Sequence, residues 1–266
     1  MTFNITREEW FLDKARNLKK QLDEQEVEKA RQQAEARANK NNPNPKPQEQ
    51  IVTQSPINKD GFIYVPSINL YLSEETHFKG KDWKESHIET QKQGCTMPTI
   101  QQFVEFLRYL RSDEGKAKVK NADKILNEIY EVRNPWRSEW LDAYYFEQKA
   151  EDMLVNYNHK FNGTSLIAQN TEQLTNYLAE TKIPGISLED WLENPNPHGL
   201  PKSNCKDGKL CYWQPENGRV ARFYADSGRA ILGCDGVPDV RYDSLRVRLV
   251  ASAENASQIS QGGNSK

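Results

Sequence analysis

Along the chain, the spacing of apolar residues changes character several times. Thr6-Arg7-Glu8-Glu9 is a capping box, and from Trp10 to Ala38 there is no Gly or Pro. Glu, Lys, Gln, Arg and Ala dominate that stretch, which predicts a long polar helix over 1–38. Trp10, Phe11, Ala15, Leu18 and Leu22 share one broad face, and beyond Leu22 the apolar positions thin out. The front half is therefore either a docking surface for a partner or a second copy, or a solvated projection. Residues 39–58 alternate Asn with Pro and then turn polar, the pattern of a flexible linker. A globular body follows over 59–251, and the Ser-, Asn-, Gln- and Gly-rich residues 252–266 read as a disordered tail.

Within the body, residues 61–72 are rich in β-branched and aromatic types and predict one or two strands interrupted at Pro66. Trp83, His87 and Thr90 are helically spaced, with Gly94 as a stop. Met97-Pro98-Thr99 introduces an amphipathic helix with Ile100, Phe103, Val104, Phe106, Leu107 and Leu110 on one face. A short helix is expected near 122–130, and strand and loop packed on the core over 134–146. Thr171–Leu178 and Ser187–Leu192 each carry a capping residue and a turn or two of helix. Leu210–Trp213 is a strand. Strands over Arg219–Phe223 and Leu245–Val250 then flank about twenty irregular residues, and the last strand alternates apolar and basic residues like a half-buried one. Helices early and strands late, without an internal repeat, predict an α+β fold.

Composition narrows the function. The 266 residues allow one large domain or two small ones, and 36% hydrophobic against 28% charged implies much solvated chain. A net charge of −2 gives no argument for nucleic acid. No run is long and apolar enough for a membrane span and no leader pattern opens the chain, so a cytoplasmic protein is expected. Cys95, Cys205, Cys211 and Cys234 have no CxxC spacing. Cys205 and Cys211 flank a turn and read as two free thiols in a reducing compartment. His77, His87, His159 and His198 are scattered, without an HExxH pair, and read as structural or exposed. Phosphate loop and nucleophile elbow are both missing, Asp207, Asp235, Asp239 and Asp243 lack calcium-loop spacing, and Cys234 has no Lys or His beside it to lower its pKa. Neither catalytic residue, cofactor nor metal ligand is expected.

One compositional gap stands out. From Val220 through Leu245 there is no Lys, Glu, Gln, Met or Trp, although these types make up about a quarter of the chain. The bland explanation is that turn-rich β structure excludes long polar side chains. Arg219-Val220-Ala221-Arg222-Phe223, Pro238-Asp239-Val240-Arg241 and Leu245-Arg246-Val247-Arg248-Leu249 resemble the C-terminal strands and loop of C-type lectin-fold domains of the formylglycine-generating-enzyme subgroup. Within that subgroup, residues 65–71, 97–100, 135–142, 183–187 and Tyr212-Trp213 make the body similar to variable proteins of archaeal diversity-generating retroelements.

The resemblance implies that a reverse transcriptase randomises template adenines and that the copy replaces the codons of about 218–250. Randomised adenines in Asn codons cannot reach Lys, Glu, Gln, Met or Trp, which accounts for the gap. It further implies a scaffold that displays Tyr224, Asp226, Gly228, Ile231, Gly233, Asp235, Gly236, Val237, Asp239, Val240 and Tyr242 toward a ligand, most naturally a protein. Tyr224 and Tyr242 are expected exposed on one face, with Ala225, Leu232, Cys234, Leu245, Phe223 and Val247 turned inward. Two other readings share the fold. One is an oxidase-type enzyme, for which copper-dependent thiol chemistry would be the sign. The other is a calcium-dependent sugar lectin, for which Gln214-Pro215-Glu216-Asn217 is a superficial match lacking its downstream acidic partner.

Overall fold

The computed structural model describes residues 60–148, 152–226 and 228–253; the expected helix over 1–38, the linker over 39–58 and residues 254–266 of the tail lie outside the described residues. Strand β1 (Phe62–Val65) and β2 (Leu70–His77) come first, joined by a 3-10 turn over Pro66–Ile68. Four helices follow: α1 (Trp83–Lys92), α2 (Ile100–Arg111), α3 (Asp113–Lys118) and α4 (Ala122–Tyr130). Then come β3 (Arg137–Glu147), β4 (Met153–Phe161), β5 (Leu166–Gln173), β6 (Lys182–Ile186), α5 (Leu188–Glu193), β7 (Leu210–Trp213), β8 (Arg219–Ala225), β9 (Ala230–Gly236) and β10 (Leu245–Ser252). The protein is α+β.

All ten strands join one mixed sheet in the order β1-β2-β10-β3-β8-β9-β7-β6, with β4 and β5 attached to the far end of β3. The pairs β10–β3 and β7–β9 are parallel. The last strand is thus inserted between β2 and β3 and is paired on both edges.

Local chemistry explains the helices. Thr99 and Gln102 form a reciprocal capping box at the start of α2, with bonds of 3.2 and 3.0 Å. The six apolar residues of its stripe are all at most 1% exposed. At about 1.5–3 kcal/mol each, their burial is what keeps this helix on the sheet. Phe223 is the hub opposite: its ring centroid lies 5.4 Å from Phe103, 5.9 Å from Tyr130 and 6.3 Å from Trp191. The other face of the sheet carries a smaller cluster of Trp83, Met97, Trp140, Val220, Leu245 and Val247, with Trp136 and Val240 packed against it.

Three expectations need correction. Thr171–Leu178 forms no helix: β5 runs through Gln173, paired with β4 from Leu154↔Gln173 to Phe161↔Leu166. Here a complete ladder outweighs a local cap. The irregular stretch between the last two strands contains β9, seven residues paired to both β8 and β7. Arg248 does not point to water but is 3% exposed. Its Nε and Nη2 donate to the two oxygens of Glu139 at 3.1 Å each, and Nη1 donates to the Ser73 and Glu74 carbonyls at 2.6 Å each. Its plane also lies 5.1 Å from the Phe106 ring. A basic residue tolerates this position because its guanidinium is bound all round.

Candidate functional site

The C-terminal segment is built from a hairpin, β8–β9, and a loop over 237–244. Register pairs Tyr224 with Ile231 and Arg222 with Gly233, so these four positions share one face of the hairpin, while Phe223 with Leu232 and Ala225 lie on the opposite face. The buried anchors are closed on both faces: Phe223, Ala225, Leu232 and Cys234 in the hairpin, and Leu245 and Val247 in the cluster on the other face of the sheet, are each 0% exposed. Burial pushes the Cys234 thiol well above its usual pKa, so it is an inert anchor.

On the outer face an aromatic group assembles. Trp136, just before β3, meets Tyr224 at 5.7 Å and Tyr242 at 5.7 Å between ring centroids, both edge to face. The Arg222 guanidinium lies 4.7 Å from the Tyr224 ring and 5.5 Å from Trp136. Tyr242 is 51% exposed, whereas Tyr224 is half-buried and its phenol pKa is pushed up to about 12 by that burial. Asp239 is exposed, and Asp235, Val237 and Val240 are partly so.

The loop is fastened by backbone and by one cation. The Trp83 N–H donates to the Pro238 carbonyl at 3.0 Å, and the Leu245 N–H to the Tyr242 carbonyl at 2.9 Å. Arg241 donates through Nε and Nη2 to Asp82 Oδ2 at 3.1 and 3.0 Å, and its Nη2 is 3.1 Å from Glu85. Asp82 is simultaneously the N-cap of α1, its Oδ1 accepting from the Glu85 N–H at 2.7 Å. One carboxylate therefore starts a helix and moors the loop. The Arg of the Pro-x-x-Arg motif is scaffold.

The eleven residues expected on display divide. Tyr224 and Tyr242 meet Trp136, Asp235 lies beside Tyr224 at Gly233, Val240 packs on the cluster that Trp136 joins, and Asp239 is exposed and Val237 partly so. Asp226 instead shapes the hairpin turn, its Oδ1 accepting from the Gly228 and Arg229 N–H groups at 2.7 and 3.1 Å. Ile231 is a correction to the display reading, being 6% exposed between its register partners Tyr224 and Cys211. Gly236 is another: a Cβ there would lie 2.7 Å from the Val220 carbonyl oxygen. At Gly233 a Cβ would meet the Tyr224 ring and Asp235 Oδ1, each at 3.0 Å, and Gly228 stays exposed on the turn.

Trp136 and Arg222 were absent from the expected set. The period-2 rule, applied to Arg222-Phe223-Tyr224, places Arg222 beside Tyr224; nothing in the sequence brings Trp136 there. Gln214–Asn217 is a structural turn, Asn217 Oδ1 accepting from the Glu147 N–H at 3.1 Å. All four cysteines are free thiols.

Two of the four histidines, scattered in the sequence, come together in space. His87 of α1 and His159 of β4 converge on Asp142 of β3, and the three side chains are buried. His159 Nδ1 lies 2.5 Å from Asp142 Oδ1, and the His159 backbone N–H donates to Oδ2 at 3.0 Å. His87 Nε2 is 3.5 Å from the same Oδ1. Burial lowers the His87 pKa to about 4, the nearby Asp142 charge opposing it only in part. Among the described residues, no helix is long and apolar enough to cross a membrane. Comparison with models of protein families, with curated proteins and with solved structures finds no match for this chain.

Proposed function

We propose that this chain is a non-catalytic binding protein, a C-type lectin-like scaffold of the formylglycine-generating-enzyme type whose segment near 218–250 is diversified by adenine-specific retrohoming. Its ligand is a protein surface, gripped by Trp136, Tyr224 and Tyr242 with Arg222, Asp235 and Asp239 around them. The observation carrying this reading is the division of labour in β8: Phe223 and Ala225 are sealed while Arg222 and Tyr224 between them meet Trp136, which Tyr242 of the loop also touches. Rigid aromatic rings give large contact area at low entropy cost, as in antibody paratopes. A fixed frame lets the contacts differ without rebuilding the fold.

The reading has two separable tests. The DNA beside the gene should hold an adenine-rich near-copy of the codons for Gly218–Val250 together with a reverse transcriptase gene; lack of both ends the diversification part. For binding, the full chain and a version replaced together at Tyr224, Asp235, Val237, Asp239 and Tyr242 are used to select from one displayed random-peptide library. Different selected peptides support the proposal. Identical selections, or none by either chain, overturn it.

A further inference from the structure

His87, His159 and Asp142 come from three different elements, and their ligand atoms all lie within 4.8 Å of one another. A hydrogen-bonded triad would account for only part of this arrangement. The carboxylate can only accept, so His159 Nδ1 carries the proton shared with Asp142 Oδ1. His87 Nε2 faces the same oxygen at 3.5 Å and has no hydrogen-bond partner, although His87 is 3% exposed. A buried ring nitrogen left without a partner is costly, and it is aimed at an anion.

We propose that His87 Nε2, His159 Nδ1 and an Asp142 oxygen form a binding site for one divalent first-row transition ion, with zinc as the natural occupant. Two imidazoles and a carboxylate are a ligand set that suits this class of ion. In a tetrahedral site with bonds near 2.0–2.1 Å, neighbouring ligand atoms sit about 3.3–3.5 Å apart. The His87–Asp142 edge, at 3.5 Å, already has that length. The His159–Asp142 edge, at 2.5 Å, is a hydrogen bond and has to open by about 1 Å. Binding moves the His159 proton from Nδ1 to Nε2, with no net release, and leaves the Nδ1 lone pair free for the ion.

The surroundings are already fixed in the way metal ligands require. Asp142 Oδ2 is held by the His159 backbone N–H. The Trp83 ring lies edge-on to both imidazoles, 4.4 Å from His87 and 4.9 Å from His159, and its Nε1 donates to the Leu141 carbonyl at 3.0 Å. Such outer contacts orient ligands and tune affinity. Asp142 also lines a cavity of about 210 Å³ together with Thr99, Gln102, Tyr157, Asn158 and His198, and a water would complete four-coordination. A short spacing motif cannot detect this site, because its ligands are 55 and 17 residues apart in the chain and come from three elements.

The experiment uses the full chain, stripped with a chelator and titrated with zinc chloride. Calorimetry should show one ion per chain, and cobalt in its place should give the visible bands of a tetrahedral site. Histidine-selective ¹⁵N spectra of the unmutated protein should show two of its four imidazoles shifting on zinc addition, a readout independent of whether any variant folds. His87→Ala should weaken binding by more than about a hundredfold, beyond the 10- to 100-fold typical of outer-contact changes. Zinc uptake without shifted imidazoles would place the ion on cysteine or surface carboxylates and overturn the proposal. So would the absence of uptake by the stripped protein.

Discussion

The hairpin β8–β9 and the loop over 237–244 adjoin each other at the candidate binding face, yet they respond to their sequences in opposite ways. In the hairpin each outward residue has a sealed neighbour, and several outward positions are themselves committed: Asp226 to the turn, Ile231 to burial, Gly236 to close backbone approach. In the loop the conformation rests on the Pro238 and Tyr242 carbonyls and on Arg241, so the side chains of Asp239 and Tyr242 make none of the hydrogen bonds that hold it. A surface that tolerates change is made by securing the backbone through groups that do not change. The loop comes closer to that condition than the hairpin.

The strongest way to break this contrast is to attack the hairpin from inside. Phe223→Ala removes a ring packed against Phe103, Tyr130 and Trp191 and leaves a cavity. Urea unfolding should show a loss of about 3–5 kcal/mol. A loss under about 1 kcal/mol would mean that the hairpin is not the frame. Gly236→Ala comes next. Its Cβ would sit 2.7 Å from the Val220 carbonyl oxygen, so β8 and β9 must part locally. The expected cost is about 1–3 kcal/mol by the same measurement. Equal stability would show Gly236 free to vary, returning it to the displayed set.

This contrast also marks where the sequence could be read. The α2 stripe and the inward anchors Phe223, Leu232 and Val247 follow from periodicity alone, because burial of a face repeats locally. The β9 strand did not announce itself: Ala230 to Gly236 has three small residues and one acid, and it becomes a strand through ladders to β7 and β8. Arg248 looked solvent-facing because alternation cannot see Glu139, 109 residues away in the chain. The site was legible in part for the same reason. Tyr224 and Tyr242 lie within the segment that composition singled out, whereas Trp136 and the His87–Asp142–His159 cluster depend on long-range closure.

A smaller effect sharpens the division inside the hairpin itself. Asp226→Ala removes the acceptor for two backbone N–H groups at the turn. Water can replace part of that bonding, so the loss should be about 1 kcal/mol, seen in thermal melts of the full chain. Asp226→Asn keeps the side-chain oxygen and should recover most of it. If both variants matched the parent, Asp226 would belong with the freely varying positions instead.

The smallest expected effect is the most informative for function. Tyr242 is 51% exposed, touches Trp136 by its edge, and its backbone carbonyl, not its side chain, closes the turn with Leu245. Tyr242→Ser keeps that carbonyl and removes only a partly solvated ring, so stability should change by no more than about 0.5 kcal/mol. The same substitution deletes a large share of the exposed aromatic area, and truncating a central aromatic residue of an interface typically costs about 2 kcal/mol or more. For any peptide selected by the parent chain, binding should therefore fall by at least about thirtyfold while the melt barely moves. A variant that melts early and binds normally would reverse the assignment, making Tyr242 part of the frame and leaving the face to Tyr224 and Trp136.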